Sequence, residues 1–204
     1  MKTVLILSGP THEYFDPVRY IGNASSGKMG KAIAEEALKL GANVEFISGP
    51  VPENNLPKIN ICKVTSAEEM LAAAREKISV ADVIIFAAAV ADFQPAEKLD
   101  EKLPKTKTGL TLNLKPTPDI AAELCKNKRE NQITVGFALQ THDGENCARE
   151  KLIAKKLDAI VLNTPATLGA ETGTFTWITS NTTEQFGLIT KTACAEKIIH
   201  KIFS

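Results

Sequence analysis

Short, continuous apolar runs recur along the chain: Val4 to Leu7, Val44 to Ile47, Ile59 to Ile61, Val83 to Phe86, Ile133 to Phe137 and Ala159 to Leu162. Runs of this length suit β-strands covered on both faces. Between them the apolar positions change to a spacing of three and four. Met29, Ile33, Ala37 and Leu40 form one stripe, with Ser25 or Ser26 available as N-cap and Gly41 placed to end the helix. Further helices are predicted from Ser66 to Ile78, from about Pro118 to Lys126 and from Asp143 to Leu157. Strands alternating with helices through short links predict an α/β chain with a Rossmann-like, three-layer fold, a mostly parallel central sheet and right-handed crossovers. The tail breaks the rhythm. Phe175 to Ile178 and Phe186 to Ile189 read as a short antiparallel pair near the C-terminus, followed by a helix with Ala195, Ile198, Ile199 and Ile202 on one face.

Composition narrows the function classes. The 204 residues, 44% of them hydrophobic, suffice for a single domain over 1–204. Lys plus Arg and Asp plus Glu number 24 each, so the net charge is zero and no nucleic-acid surface is expected; any anion site must be local. The opening apolar run is too short for a signal peptide and no segment is long enough to span a membrane, so the expected location is cytoplasmic. Cys62, Cys125, Cys147 and Cys194 are far apart with no C-x-x-C pair, and His12, His142 and His200 are equally scattered. Reduced thiols packed as small apolar groups are expected, and no metal held by side chains alone. Residues 94–109, QPAEKLDEKLPKTKTG, are charged and carry two prolines. They read as a solvated loop or as a mobile active-site flap.

Three stretches carry chemistry, and each has a plainer alternative. Ser8-Gly9-Pro10-Thr11 follows the first strand, and Ser25-Ser26-Gly27-Lys28 opens the first helix; amide N–H groups, hydroxyls and a glycine there suit a phosphate. The same residues also make an ordinary N-cap. No Walker loop is present, because Met29 follows Lys28 where a hydroxyl is needed. Ala87 to Phe93 ends the fourth main strand with small side chains against which a flat ligand could lie, and Asp92 could accept from an amino group or a ribose. Alternatively the alanines pack under a helix and Asp92 caps a turn. Phe137 in Val135-Gly-Phe-Ala-Leu139 either stacks on a base or fills the core.

Together these stretches resemble the phosphopantothenoylcysteine synthetase family, the phosphopantothenate–cysteine ligase domain that in many bacteria is the carboxyl-terminal part of the bifunctional coenzyme A biosynthesis protein. The residues that carry the resemblance are GPTHEYFDPVRYIGNASSGKMG, AAAVADF, VGFALQT and KKLDAIVLN, and it extends over nearly the whole chain. The resemblance implies activation of the 4′-phosphopantothenate carboxylate by a nucleoside triphosphate, CTP in preference to ATP, with Mg²⁺ on the triphosphate. Cysteine's amine then displaces the nucleotide. It further implies a homodimer and no flavin, since no decarboxylase segment precedes Met1.

By motif match, Asn23 touches the acyl intermediate, and Arg19 the phosphopantothenate across a dimer interface. Ser25, Ser26 and Gly27 serve the phosphates, while Ala88, Ala89, Asp92 and Phe137 frame the nucleotide. The family's flap motif Lys-x-Lys-Lys appears as Lys102-Leu-Pro-Lys105, so Lys102 matches the catalytic cation, Lys105 a substrate contact, and Pro104 replaces the middle lysine. Thr117 replaces an asparagine and Gln140 a glutamate, which bear on nucleotide preference and turnover. Two other classes compete. A nicotinamide-dependent short reductase would need a glycine pattern in the first turn and an acidic end to the second strand, which reads Ser48-Gly49-Pro50. A non-catalytic nucleotide-binding protein fits the three substitutions, and Asn23 and Lys102 argue against it.

Overall fold

The structure is a computed structural model and describes residues 1–105, 109–140 and 143–204. In chain order its elements are β1 (Thr3–Ser8), β2 (His12–Tyr14), β3 (Tyr20–Gly22), α1 (Lys28–Lys39), β4 (Asn43–Ser48), β5 (Ile61–Lys63), α2 (Ala67–Lys77), β6 (Val83–Phe86) and β7 (Phe93–Pro95). They continue as β8 (Leu114–Pro116), α3 (Ile120–Cys125), β9 (Ile133–Leu139), α4 (Gly144–Ala154), β10 (Ala159–Asn163), β11 (Thr172–Thr179), β12 (Thr183–Thr190) and α5 (Lys191–Phe203).

Eight strands form one sheet in the order β12-β11-β10-β9-β6-β1-β4-β5. The six from β10 to β5 pair in parallel, and the β11–β12 hairpin adds an antiparallel edge. Alternation along the central strands supplies two cores. Val4, Ile6, Val83, Ile85, Val135 and Val161 face Ile33 and Ala37 of α1 and Ile198 and Ile199 of α5. Leu5, Leu7, Ile84 and Ile160 face Met70 and Leu71 of α2, Leu124 of α3 and Leu152 of α4. Each such side chain, fully buried, contributes about 1.5–3 kcal/mol, which is why both faces of the sheet must be covered.

Helix ends fix the loops between layers. Ser66 caps α2 by accepting from the Glu69 N–H at 3.2 Å while the Glu69 carboxylate accepts from the Ser66 N–H at 3.4 Å. At the end of α1 the Gly41 N–H bonds Leu38 and the Ala42 N–H bonds Ala37, a Schellman closure around Gly41 at φ 76°. Four free cysteines are present, Cys125 and Cys194 buried and Cys62 and Cys147 half-buried. Burial pushes the Cys194 thiol up to about 12, so it packs as an apolar group.

Several expectations need correction. The N-cap of α1 is neither Ser25 nor Ser26 but Gly27, in the left-handed region at φ 73°, with no side-chain cap on the helix. The strand expected at Ile59 to Ile61 lies at Ile61–Lys63, because the Ile59 N–H closes a turn onto the Pro57 carbonyl and the ladder with β4 begins at Phe46 opposite Ile61. Residues 94–109 are not a loop throughout: Gln94 and Pro95 lie buried in β7, and Gln94 bonds Glu68 at 3.3 Å. Thr106, Lys107 and Thr108 of that segment, like Thr141 and His142, lie outside the described residues. The hairpin β2–β3 and the ribbon β7–β8 have no counterpart in the sequence reading; they pack against each other through β2 and β7.

Candidate active site

Viewed from β1, the chain fills β4 and β5 on one side, then crosses to β6 on the other. The strand order therefore reverses between β1 and β6, the place where parallel sheets open a crevice at their carboxyl ends. A cavity of about 720 Å³ lies there, lined from Asn23 to Gly30, from Phe86 to Asp92, from Thr117 to Ala121, and by Gly136, Phe137 and Asn163.

Backbone pairing shapes its floor. Beyond the sheet, the Ala87 N–H bonds Leu7 at 2.9 Å, the Ala89 N–H bonds Gly9 at 2.9 Å, and the Thr11 N–H bonds Ala89 at 3.3 Å. The Ala91 N–H donates to Thr11 Oγ1 at 3.0 Å, and Thr117 donates its hydroxyl to the Ala91 carbonyl and its amide to that of Asp92. This zipper ties the loop after β1, the alanine run and the start of α3 into one rigid rim. Ala87 to Ala89 are half-buried and flank the opening, so small side chains here keep it accessible.

Helix α1 forms the second wall. Gly30 presses against the end of β1: a Cβ there would stand 2.2 Å from Ser8 Oγ and 2.5 Å from Ser8 Cβ. The left-handed Gly27 turns the chain so that Ser25 and Ser26 precede the helix within the cavity lining, with Ser25 Oγ accepting from the Gly27 N–H at 3.4 Å. First-turn N–H groups uncapped by a side chain, with hydroxyls beside them, are the donors an anion requires. Asn23 is anchored by its Nδ2 donating to the Val90 carbonyl at 2.8 Å, which leaves its amide oxygen and second N–H for a ligand.

The structure thus brings Asn23, Ser25, Ser26, Gly27, Ala88, Ala89, Asp92 and Phe137 to one cavity. It does not bring Arg19, Lys102 or Lys105 there. Arg19 instead forms an ion pair with Asp16, donates to the Leu103 carbonyl at 2.9 Å and lies over the Phe15 ring. Asp16, almost fully buried, also accepts from the amides of Val18, Arg19 and Leu103 at 2.9, 2.8 and 3.2 Å. The Arg19 guanidinium, helped by those amides, holds the Asp16 carboxyl well below the usual carboxylate range. A second tie, the Leu99 N–H to the Phe15 carbonyl at 2.9 Å, fastens the same segment. Leu99 and Leu103 are therefore tied to the turn that carries Arg19, while Lys102 and Lys105 are exposed.

Sequence reasoning missed Asp16 and four cavity cations: Lys28, Lys151, Lys155 and Lys191. Lys151 and Lys155 stand four residues apart at the end of α4, on one helix face, and Lys155 pairs with Asp119 at 3.0 Å. That spacing was a readable signal. Lys191 is buried and donates to the Thr167 carbonyl at 3.1 Å; burial, then the neighbouring Lys28, lowers its pKa. Nothing in the sequence distinguishes it from a surface lysine. Among the described residues no group of three or more His, Cys, Asp or Glu is assembled as a metal site, and no helix is long and apolar enough to cross a membrane.

Fold and cavity define a Rossmann-like domain with a crevice at its strand switch point. The family described as "DNA/pantothenate metabolism flavoprotein C-terminal domain" matches residues 1–204, and the chain belongs to it. It is 48% identical over 174 residues to the coenzyme A biosynthesis bifunctional protein CoaBC of Bacillus subtilis (strain 168), which covers 84% of this chain and 42% of that protein. It is 46% identical over 209 residues to a cysteine/cysteine sulfinic acid decarboxylase of an unknown prokaryotic organism, 100% of this chain and 58% of the relative. The chain spans about half the length of these curated relatives. The crystal structure of the C-terminal domain of CoaBC matches with a TM-score of 0.83 at 36% identity, over 98% of this chain and 93% of that one.

Proposed function

We propose that this domain joins 4′-phosphopantothenate to L-cysteine through an acyl-nucleotide formed from CTP. In the first step the phosphopantothenate carboxylate attacks the α-phosphorus and pyrophosphate leaves. In the second the cysteine amine attacks the acyl carbon, an amide forms and CMP leaves. The observation that carries this reading is the convergence of Asn23, the Ser25–Gly27 turn and the Ala87 to Asp92 rim on one cavity at the switch point. The likeness to the solved C-terminal domain, nearly coextensive with this chain, supports the ligase; the decarboxylase name belongs to a relative of which this chain covers 58%.

In this reading Ser25, Ser26 and Gly27 hold phosphates, Ala88, Ala89 and Phe137 bracket the base, and Asp92 accepts from the cytosine amino group or the ribose. Asn23, fixed by Val90, presents its amide to the acyl carbonyl. Lys102 descends with the flap onto the developing phosphate charge, and Lys105 and Arg19 meet the phosphopantothenate. Mg²⁺ bound to the triphosphate would neutralise part of its charge.

A homodimer accompanies this reading. Val18, Tyr20, Phe93 and Leu114 expose 56%, 46%, 51% and 45% of their surface on the neighbouring β2–β3 and β7–β8 arms, and Arg19 lies on the same arm. A second copy covering these arms would bury them and carry its Arg19 toward the first copy's cavity. Sedimentation of the purified chain tests the dimer. Formation of pyrophosphate that requires phosphopantothenate tests the chemistry, with CTP and ATP compared.

A further inference from the structure

Two helices begin at the same end of the cavity, and both begin with a lysine: Lys28 is the first residue of α1 and Lys191 the first of α5. Neither has an acidic residue in its first turn, whereas α2, α3 and α4 each do. A cation at the positive end of a helix opposes the helix dipole. The cost is greatest for Lys191, which is only 8% exposed, and whose one side-chain hydrogen bond among the described residues is to a neutral acceptor, the Thr167 carbonyl. The neighbouring carboxylate, Glu171, is ion-paired to Lys28 instead. A buried ammonium facing a cavity, beside a second ammonium and the uncapped N-terminus of α1, is a site whose counter-charge is a ligand; α5 is itself capped by Thr190, whose Oγ1 accepts from the Ala193 N–H at 3.1 Å.

We propose that Lys191, with Lys28 and the first turn of α1, forms a polyphosphate-binding corner that takes the terminal phosphates of the nucleoside triphosphate. This rests on the nucleotide-dependent ligase reading and extends it, because the Ser25–Gly27 turn needs only one phosphate to fill it. Two ammonium groups against one carboxylate leave a net positive charge, matched better by the pyrophosphate end of a triphosphate than by a single monoester. Glu171, with 76% of its side chain exposed, is free to release Lys28 to the ligand and turn to solvent. Lys28 also donates to the Gly169 carbonyl at 3.1 Å, so both lysines brace the loop after β10 that closes this end of the cavity. Lys191 would hold the leaving pyrophosphate in the first half-reaction.

The test is calorimetric titration of the wild-type chain, Lys191→Met and Lys28→Met with inorganic pyrophosphate, CTP, CMP and 4′-phosphopantothenate, all with Mg²⁺. Loss of one charged hydrogen bond predicts about tenfold or greater weakening of pyrophosphate and CTP in both variants, with CMP and phosphopantothenate unchanged. Thermal melting of Lys191→Met should be equal to or above wild type, since an uncompensated buried cation is removed. Equal weakening of CMP and CTP would make Lys191 a structural brace and overturn the assignment. Selective weakening of phosphopantothenate would overturn it in favour of a monoester site. Wild type binding all four ligands with unchanged variants would sink this inference alone, whereas wild type binding none would remove the ligase reading with it.

Discussion

Replacing Gly30 by alanine should shift the Ser25–Gly27 turn and destabilise the domain together. Alanine is the better helix former, so in an open site the change would stabilise by up to about 1 kcal/mol. Here the added Cβ lands 2.2 Å from Ser8 Oγ and 2.5 Å from Ser8 Cβ, and Ser8 is 1% exposed on the strand end. The Cβ contact cannot be relieved by a rotamer, since it is tied to the β1 backbone. Restoring van der Waals distance requires α1 and β1 to separate by about 1 Å, and overpacking of that kind costs about 1–3 kcal/mol. Taking the upper end against the propensity gain leaves a net loss of about 2 kcal/mol, or about 4–8 °C in melting temperature for a chain of this size. Because α1 carries Gly27 and Lys28 at its start, the same movement should weaken CTP binding. Differential scanning calorimetry and CTP titration read both effects. Ser8→Gly, made together with Gly30→Ala, should restore part of each. A melting point at or above wild type with unchanged CTP affinity would refute the tight α1–β1 contact as the device that sets the turn.

Lys102→Gln should leave melting unchanged and slow pyrophosphate release by orders of magnitude, because a cation at developing phosphate charge contributes several kcal/mol to the barrier; a near-normal rate removes Lys102 from the chemistry. Asn23→Asp should let the acyl-nucleotide accumulate in a quenched reaction, and failure to detect it would undo the role at the acyl carbonyl. Asp16→Asn should loosen the tie to Leu103, read as faster tryptic cleavage after Lys102 and Lys105 in the free protein; an unchanged digestion pattern would show that Asp16 does not hold that segment. The pH dependence follows the same residue: a carboxyl whose folded pKa lies below its ordinary 3.8 stabilises the fold fully above that value and loses its contribution as pH falls further. The stability difference between wild type and Asp16→Asn should therefore be constant near neutrality and shrink only below about pH 4.

The central strands were legible because Val4 to Leu7, Val83 to Phe86 and Ala159 to Leu162 are continuous apolar runs, which only a strand covered on both sides can bury. The β11–β12 hairpin was legible as two short apolar segments joined by a polar turn, and α5 by the one-face spacing of Ala195, Ile198, Ile199 and Ile202. The arms were not. HEY, YIG, FQP and LKP are three-residue strands, two of them carrying proline, too short to show a period and paired only because β2 packs against β7. The Ser25-Ser26-Gly27 turn misled on the cap because the residue types of a helix cap stand at both serines, whereas the left-handed backbone at Gly27 makes the glycine the N-cap and leaves the helix without a side-chain cap. Asp92 and Phe137 were offered by their places at strand ends, Asn23 through motif resemblance, and the three share a cavity. The motif could name Arg19 but not its partners, since Asp16 and the Leu103 carbonyl are reached only in three dimensions. Lys151, Lys155 and Lys191 lie more than 120 residues from the Ser25–Gly27 turn, and only the sheet order brings them to it.

The most direct test of the proposed ligase is pyrophosphate release by the purified chain with 4′-phosphopantothenate, Mg²⁺ and either CTP or ATP, with and without cysteine. The ligase predicts release that requires phosphopantothenate, runs faster with CTP than with ATP, and continues over many turnovers only when cysteine is added. Silence with both nucleotides from a folded protein that binds phosphopantothenate would contradict it and leave a binding domain on the same fold.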